Sequence, residues 1–424
     1  MRKRTLVALV ALASAMALGI LVYRYRSSGP AAVAPAEPPA VQALTLPNGL
    51  AVELVAAECG DSVALAVAFG VGTDHDPPGQ SGMVRILERA LAASVGGVAT
   101  AQFESGSAHS LYSAVVPRDQ VDAELVRIAT RLTRLELTEA QFAAARAAVL
   151  AGIEQRSGGD PELTALTYAA ESIQPSPGGG RRGGVASEVE GIDRDAAVAF
   201  WAAHFKPRNA RLVVLGNVDR AAATTSIEQA LTPIEAGKPP SPRPPGESRV
   251  IGTLVMGETP SAVAMAVPAP PPEDERFSTF LLLAARLSSA APGGGWTARY
   301  DPVRLPETLF VTGPVGPAEG AEPAAARIRA DALRKLQSPL AAADRAAARE
   351  RFGGFVGLGE LQPRECAGDP RQLAIARARR GQLELTKLKL AESLDATTQD
   401  AFAAGTSFFD ASRTTTVIAG GAIR

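Results

Sequence analysis

Two stretches of the chain carry the same succession of apolar and polar positions. In the first, Leu46-Pro47-Asn48-Gly49-Leu50-Ala51-Val52 is an Asn-Gly-type turn opening an alternating strand, and 63–73 is an apolar run that reads as a buried strand. The turn Asp76-Pro77-Pro78-Gly79 follows, and after it a helix-forming stretch from Ser81 to Leu91. In the second, strand-like segments at 249–256 and 262–267 precede the turn Pro270-Pro271-Pro272-Glu273-Asp274 and an apolar helix over 277–287. Further helices are predicted over 324–337 and 344–352, and Thr414 to Ala419 is a closing strand that echoes Leu212 to Gly216. Between the stretches, residues 237–248 hold five prolines in twelve positions, which excludes a helix and favours an extended spacer.

The helix from Ser81 carries the chemistry of most interest. Arg85, Glu88 and Arg89 have the spacing of His-x-x-Glu-His, in which two neutral imidazoles on one helix face bind zinc and a carboxylate beside them activates water. An arginine keeps its proton at any relevant pH and has no lone pair to donate, so it is no zinc ligand. Taken alone, Arg-x-x-Glu-Arg is ordinary helix-surface chemistry, with Glu88 paired to Arg85 three positions away.

The surrounding order gives the motif its meaning. It resembles the pitrilysin or insulinase family of zinc metallopeptidases, which includes the mitochondrial processing peptidases and the related core subunits of respiratory cytochrome complexes. In that family an N-G-L-x-V strand, a strand ending near G-S or G-T, and a P-x-G-x-x-G-x-x-H-x-x-E-H helix follow one another. The resemblance continues through the helix from Val189 to Trp201, the segment Phe205-Lys206-Pro207-Arg208-Asn209, and a strand ending in Val214-Leu215-Gly216-Asn217-Val218-Asp219. It covers residues 43 to 235 and extends in weaker form over 248 to 424.

The resemblance implies an α+β fold of two homologous halves, each an antiparallel sheet covered by helices. The chain then divides into a signal anchor or signal peptide (1–28), a Pro/Ala linker (29–42), an N-terminal peptidase-like domain with a degenerate zinc motif (43–236), the proline-rich linker (237–248) and a C-terminal peptidase-like domain (249–424). The family's third zinc ligand is a glutamate on a later helix, and the matching position here is Gly152, with Glu154 two residues on. In the family the second half contributes a substrate-contacting arginine and tyrosine, and the nearest matches are Arg304 and Phe310. Phenylalanine lacks the hydroxyl that would donate to an oxyanion, and the alternative places Arg304 on the surface and Phe310 in the core.

These matches imply a catalytically inactive homologue without zinc, acting as a non-catalytic partner or regulatory subunit of a zinc peptidase. It would pair with a catalytic pitrilysin-like subunit or with itself and bind extended peptides in a shared chamber. An active zinc metalloendopeptidase with unrecognised ligands, or an envelope-complex scaffold without a peptidase partner, stands as the alternative.

Other residues change the picture less. Of the three histidines, His75 falls in a polar turn, His109 at a strand end expected to be solvated, and His204 at the end of an amphipathic helix where packing is expected. Cys59 and Cys366 form no metal or redox spacing; they pair as one disulfide or stay as two buried thiols. Arg377-Ala378-Arg379-Arg380 reads as a solvated helix face, and the glycine-rich run 178–184 lacks the ending of a phosphate-binding loop.

With 424 residues, 46% of them hydrophobic, the chain has room for two sizeable cores, and a net charge of -1 gives no electrostatic case for nucleic acid. At the N-terminus Arg2-Lys3-Arg4 precede an apolar run from Thr5 to Tyr23. At ~1.5 Å rise per residue this run is about long enough for a ~30 Å hydrocarbon core. The expectation is an inner-membrane anchor with the body in the periplasm, or a periplasmic protein if the segment is cleaved at an Ala-x-Ala sequence within 13–17.

Overall fold

The structure, a computed structural model, describes residues 40–57, 59–93, 101–158, 160–173, 183–238, 252–257, 259–271, 274–289, 295–302, 308–356, 369–382 and 390–420. The expected membrane or signal segment, most of the proline-rich linker, the glycine-rich run up to 182 and Arg304 lie outside the described residues.

Six strands, β1 (Ala40–Thr45), β2 (Ala51–Ala56), β3 (Ser62–Phe69), β4 (Gln102–Ser105), β5 (Ser110–Pro117) and β6 (Ala210–Gly216), form the first sheet. Their order is β1-β2-β6-β3-β5-β4. Interleaved with them are α1 (Met83–Ala93), α2 (Val121–Thr133), α3 (Glu139–Gly158), α4 (Pro161–Ile173), α5 (Ala186–Gly191), α6 (Arg194–His204) and α7 (Arg220–Leu231). The second sheet holds β7 (Thr253–Met256), β8 (Ala262–Pro268), β9 (Thr297–Tyr300), β10 (Thr308–Pro314) and β11 (Thr415–Ala419) in the order β7-β11-β8-β10-β9. Its helices are α8 (Phe277–Ser288), α9 (Ala321–Leu336), α10 (Ala342–Val356), α11 (Pro370–Gln382), α12 (Leu390–Ala396) and α13 (Gln399–Ala404).

The second sheet repeats the first without its edge strand β1, as expected of two related halves. Strand β1 takes in residues 40–42, which the sequence placed in the linker. The sheets are mixed in one respect. In each, the closing strand enters between the first two strands of the repeat, so β6 runs antiparallel to β3 and parallel to β2, and β11 runs antiparallel to β8 and parallel to β7.

Side-chain size alternates along the central strands with the period of two that a sheet imposes. Val63, Leu65 and Val67 of β3, with Leu212 and Val214 of β6, face a core built with α1, α2, α6 and α7. Ala64, Ala66 and Ala68 face the opposite side together with Val213 and Leu215. Burial on both faces explains why this strand reads as an unbroken apolar run.

The alanine face is covered by Ala374, Ile375 and Ala378 of α11, a helix from the second half of the sequence. The second sheet shows the reciprocal arrangement. Val263, Met265 and Val267 face its own helices, while Ala264 and Ala266 meet Ala165, Ala169 and Ile173 of α4, from the first half. Each half therefore lends one helix to the other's sheet, and the alanines let that helix approach closely.

The exchanged helix α11 corrects the reading of its arginines as a solvated face. Arg377 Nε donates to Glu53 Oε1 of β2 at 2.5 Å, and Arg379 is ion-paired with Glu104 of β4. Arg379 is only 7% exposed and Glu53 only 6%. Cys59, packed at the rim of the same cluster, is disulfide-bonded; the chain's other cysteine, Cys366, lies outside the described residues.

Candidate functional site

Helix α1 presents the motif residues, and its N-terminus is unusually well anchored. Gly82 adopts φ +102°, and a Cβ there would meet Val189 Cγ2 at 2.6 Å, so only glycine fits this entry into the helix. The Asp76 carboxylate accepts from the amides of Gly82 at 2.7 Å and Val84 at 2.9 Å, satisfying two donors of the first turn. Glu188 accepts from the Ser81 amide at 2.8 Å, and the Ser81 hydroxyl accepts from the Val185 amide at 3.0 Å. Met83, Val84, Ile86, Leu87, Ala90 and Leu91 are buried, which leaves Arg85, Glu88 and Arg89 on the remaining face.

On that face the chemistry is closed. Arg85 Nη1 donates to Glu88 Oε2 at 2.8 Å and to the carbonyl and hydroxyl oxygens of Ser105, each at 3.1 Å. The Ser105 hydroxyl in turn donates to the same Glu88 oxygen. Glu88 has a side-chain exposure of only 12%, so the carboxylate that would activate water is held between a guanidinium and a hydroxyl of edge strand β4. Arg89 is exposed.

Helix α3 packs beside α1, as a third ligand would require, but its matching residue is Gly152, which has no side chain to offer, and Glu154 is exposed. Zinc, which the family resemblance brings to mind, does not fit this donor set: two guanidinium groups repel a cation and a glycine cannot ligate one. Among the described residues no group of three or more His, Cys, Asp or Glu is placed to hold a metal ion.

Of the second-half pair, only Phe310 falls among the described residues. Arg304 lies outside the described residues, and Phe310 of β10, 7% exposed, is packed with Ala165, Ala169 and Ile173 under the exchanged helix α4. Phe310 is thus a core residue, the second of the two placements the sequence left open for it.

One histidine differs from expectation, and another packs at its helix end as expected. His109 is 2% exposed rather than solvated. His75 and His204, far apart in sequence, bring their rings to 6.4 Å, and His204 stacks on Phe200 at 4.4 Å. Burial, reinforced by His75, holds His204 below the ordinary imidazole range, so it stays neutral at neutral pH.

Sequence reasoning missed Asp76 and Ser105. Asp76 had a readable signal: an acid in a Pro-Gly turn just before a helix is a capping candidate. Ser105 had none, since its role exists only because β4 lies across α1.

Asp76 also gives the protein a pH dependence. Burial raises its pKa to about 7 against the opposing pull of its two amide bonds and Arg85. A group whose folded pKa is raised stabilises the fold most below its unfolded pKa, and that contribution is lost as pH rises through about 7. Urea denaturation should therefore show stability falling by on the order of 2–4 kcal/mol between about pH 4 and pH 8 from this group. Asp76→Asn should flatten that slope while keeping only one of the two accepting oxygens, a loss of about 1 kcal/mol; an unchanged slope in the variant would assign the effect elsewhere.

Residues 191–296 match a family model described as the peptidase M16 inactive domain. No curated protein sequence matches the chain. Among solved structures, a protease from Helicobacter pylori is 15% identical over 90% of this chain and 99% of its own, with a TM-score of 0.71. A peptidase M16 inactive domain from Pseudomonas fluorescens is 15% identical over 91% and 98%, with a TM-score of 0.70. Pitrilysin is 15% identical over 90% of this chain and 44% of its own, with a TM-score of 0.63. At such identities the shared property is the fold, and the fold of this chain is that of the M16 peptidases, pitrilysin among them.

Proposed function

We propose that this protein is a catalytically inactive, pitrilysin-like M16 homologue that serves as the non-catalytic partner or regulatory subunit of a zinc peptidase. The observation that carries this reading is the Arg85–Glu88–Ser105 cluster. Where a peptidase of this fold needs a cation, two ligands and a free carboxylate, this chain has two fixed positive charges and a carboxylate already bonded on both sides. Gly152 at the third position points the same way.

An open sheet edge supports the peptide-binding part of this reading. Strand β4 stands at the end of its sheet, paired only with β5 among the described strands, and an added strand could bond to its outer edge. In our reading the protein forms part of the wall of a chamber completed by a catalytic subunit or by a second copy. The N-terminal segment tethers it to the inner membrane with the body in the periplasm, or is removed to release it there. A disulfide at Cys59 suits such an oxidising compartment.

Metal analysis of the purified chain should find no stoichiometric zinc, and the chain alone should leave unstructured peptides uncut. One zinc per chain, lost on Glu88→Gln or Glu154→Gln together with a chelator-sensitive cleavage activity, would overturn the proposal. Membrane solubilisation followed by co-purification would identify the partner, and recovery of a similar chain with an intact His-x-x-Glu-His helix is the expected result.

A further inference from the structure

A second site lies under the C-terminal end of α1, away from the motif residues. Phe69, Phe103, Tyr112, Trp201 and Phe205 line an apolar pocket whose remaining wall includes Arg131 of α2. Phe205 packs on Phe69 at 5.0 Å and on Phe103 at 6.1 Å, so the pocket is a preformed aromatic cup enclosing about 20 Å³, room for one water-sized or methyl-sized group. Leu91 and Arg131 also line an open cleft of about 460 Å³ outside it, whose walls carry Arg127, Thr130, Arg134 and one acid, Glu136, which is paired with Arg134.

Charge accounting singles out Arg131. Buried Glu124 is taken by the Tyr112 hydroxyl at 2.5 Å and by Arg127 Nε at 2.7 Å, and Arg134 pairs with Glu136 at 3.0 Å. Burial and the bond to Glu124 push the Tyr112 hydroxyl far above its ordinary range against the opposing charge and hydrogen bond of Arg131, so it remains neutral and cannot balance that guanidinium's charge. Arg131 lies 4.6 Å over the Tyr112 ring, and its Nη1 is buried without a hydrogen-bond partner among the described residues. A dry guanidinium nitrogen at the mouth of an aromatic cup is matched by an anionic acceptor attached to an apolar group.

We propose that the aromatic cup and the arginine-walled cleft form one binding site for a carboxylate that bears a small apolar end. The apolar end enters the cup, the carboxylate receives Arg131 Nη1, and the rest of the ligand occupies the cleft. A free short-chain carboxylic acid and the C-terminal residue of a peptide share this chemistry. The site is independent of the degenerate motif, and its failure would leave the proposed function standing.

Trp201 is a built-in reporter. In a Trp296→Phe background, which leaves Trp201 as the chain's one tryptophan, titrations with propionate, propionamide, and acetyl-Ala-Ala with a free or amidated C-terminus, each offering a methyl group to the cup, can be followed by fluorescence. The expected result is saturable binding of at least one acid, with its amide at least about tenfold weaker and Arg131→Gln weakening the acid by a similar factor. Binding confined to propionate would identify a small-molecule site, and binding confined to the peptide acid a C-terminus site. Because Arg131 also supports Tyr112, Thr130→Glu provides a second variant: it places a carboxylate in the cleft from an exposed helix position and should repel the ligand severalfold without affecting folding. Equal affinity for acids and amides, unchanged affinity in both variants, or no response up to about 10 mM ligand would overturn the proposal.

Discussion

Glu53→Leu should destabilise the protein by roughly 3–5 kcal/mol in chemical denaturation, far more than a change at a typical surface acid. Glu53 is 6% exposed on β2 and receives Arg377 from the exchanged helix α11, with Arg211 at 4.0 Å as a second neighbour. Removing the carboxylate leaves the Arg377 guanidinium, whose side chain is 14% exposed, without its counter-charge at the junction of the two halves. The double variant Glu53→Leu/Arg377→Met should recover most of the loss, because a buried pair replaced by apolar groups of similar size costs little. If the double variant were as unstable as the sum of the single ones, the two residues would not be acting on each other.

The second large effect is expected at Arg286. This residue, 6% exposed near the end of α8, donates from Nε to Asp344 Oδ1 at 2.8 Å, from Nη1 to the Ser338 carbonyl at 2.5 Å and from Nη2 to the Pro339 carbonyl at 2.9 Å. Its guanidinium also lies 4.4 Å over the Phe402 ring. Arg286→Met would strand a mostly buried carboxylate and two carbonyls, again costing roughly 3–5 kcal/mol. The variant should also change the acid limb of the stability profile. The hydrogen bond from Arg286 holds Asp344 below its ordinary range, so its stabilising contribution is present above the unfolded pKa and lost as pH falls through the depressed one. That loss should disappear in Arg286→Met, and an unaltered acid limb would show that the pair is not its source.

Much of the fold was legible because the sequence repeats its grammar. The Asn48-Gly49 turn, the Gly82 helix start and the β8–α8 succession all appear where the pattern places them, while the apolar run 63–73 forms a strand only as far as Phe69 before the chain turns at Thr73–His75. The disarmed motif was legible because ligand chemistry excludes arginine without reference to geometry. The exchanged helices were not. Helix α11 buries only a narrow stripe of Ala374, Ile375 and Ala378, and its arginines dominate the pattern, so nothing local distinguishes pairing with Glu53 and Glu104 from pairing with water. The sealing of Glu88 by Ser105 likewise depends on a strand and a helix crossing, and the arginine at the aromatic cup stands out only once Glu124 is seen to be taken by Arg127 and Tyr112. Long-range ion pairing carries no period, which is why a sequence read for periods does not reveal it.

The reciprocal loan of α4 and α11 bears on how the chain is made. As the polypeptide leaves the ribosome, the first sheet can assemble with its own helices, but its alanine face stays open until residues 370–382 emerge. Meanwhile α4 is already synthesised and waits for a sheet that does not close until β11, at 415–419, is complete. Each half thus shields the other's unfinished surface, and folding of the described body approaches completion only once β11 has been made. A fragment ending in the proline-rich spacer would carry an unclaimed helix and an uncovered sheet, so the two halves are better regarded as one cooperative folding unit than as two modules joined by a linker.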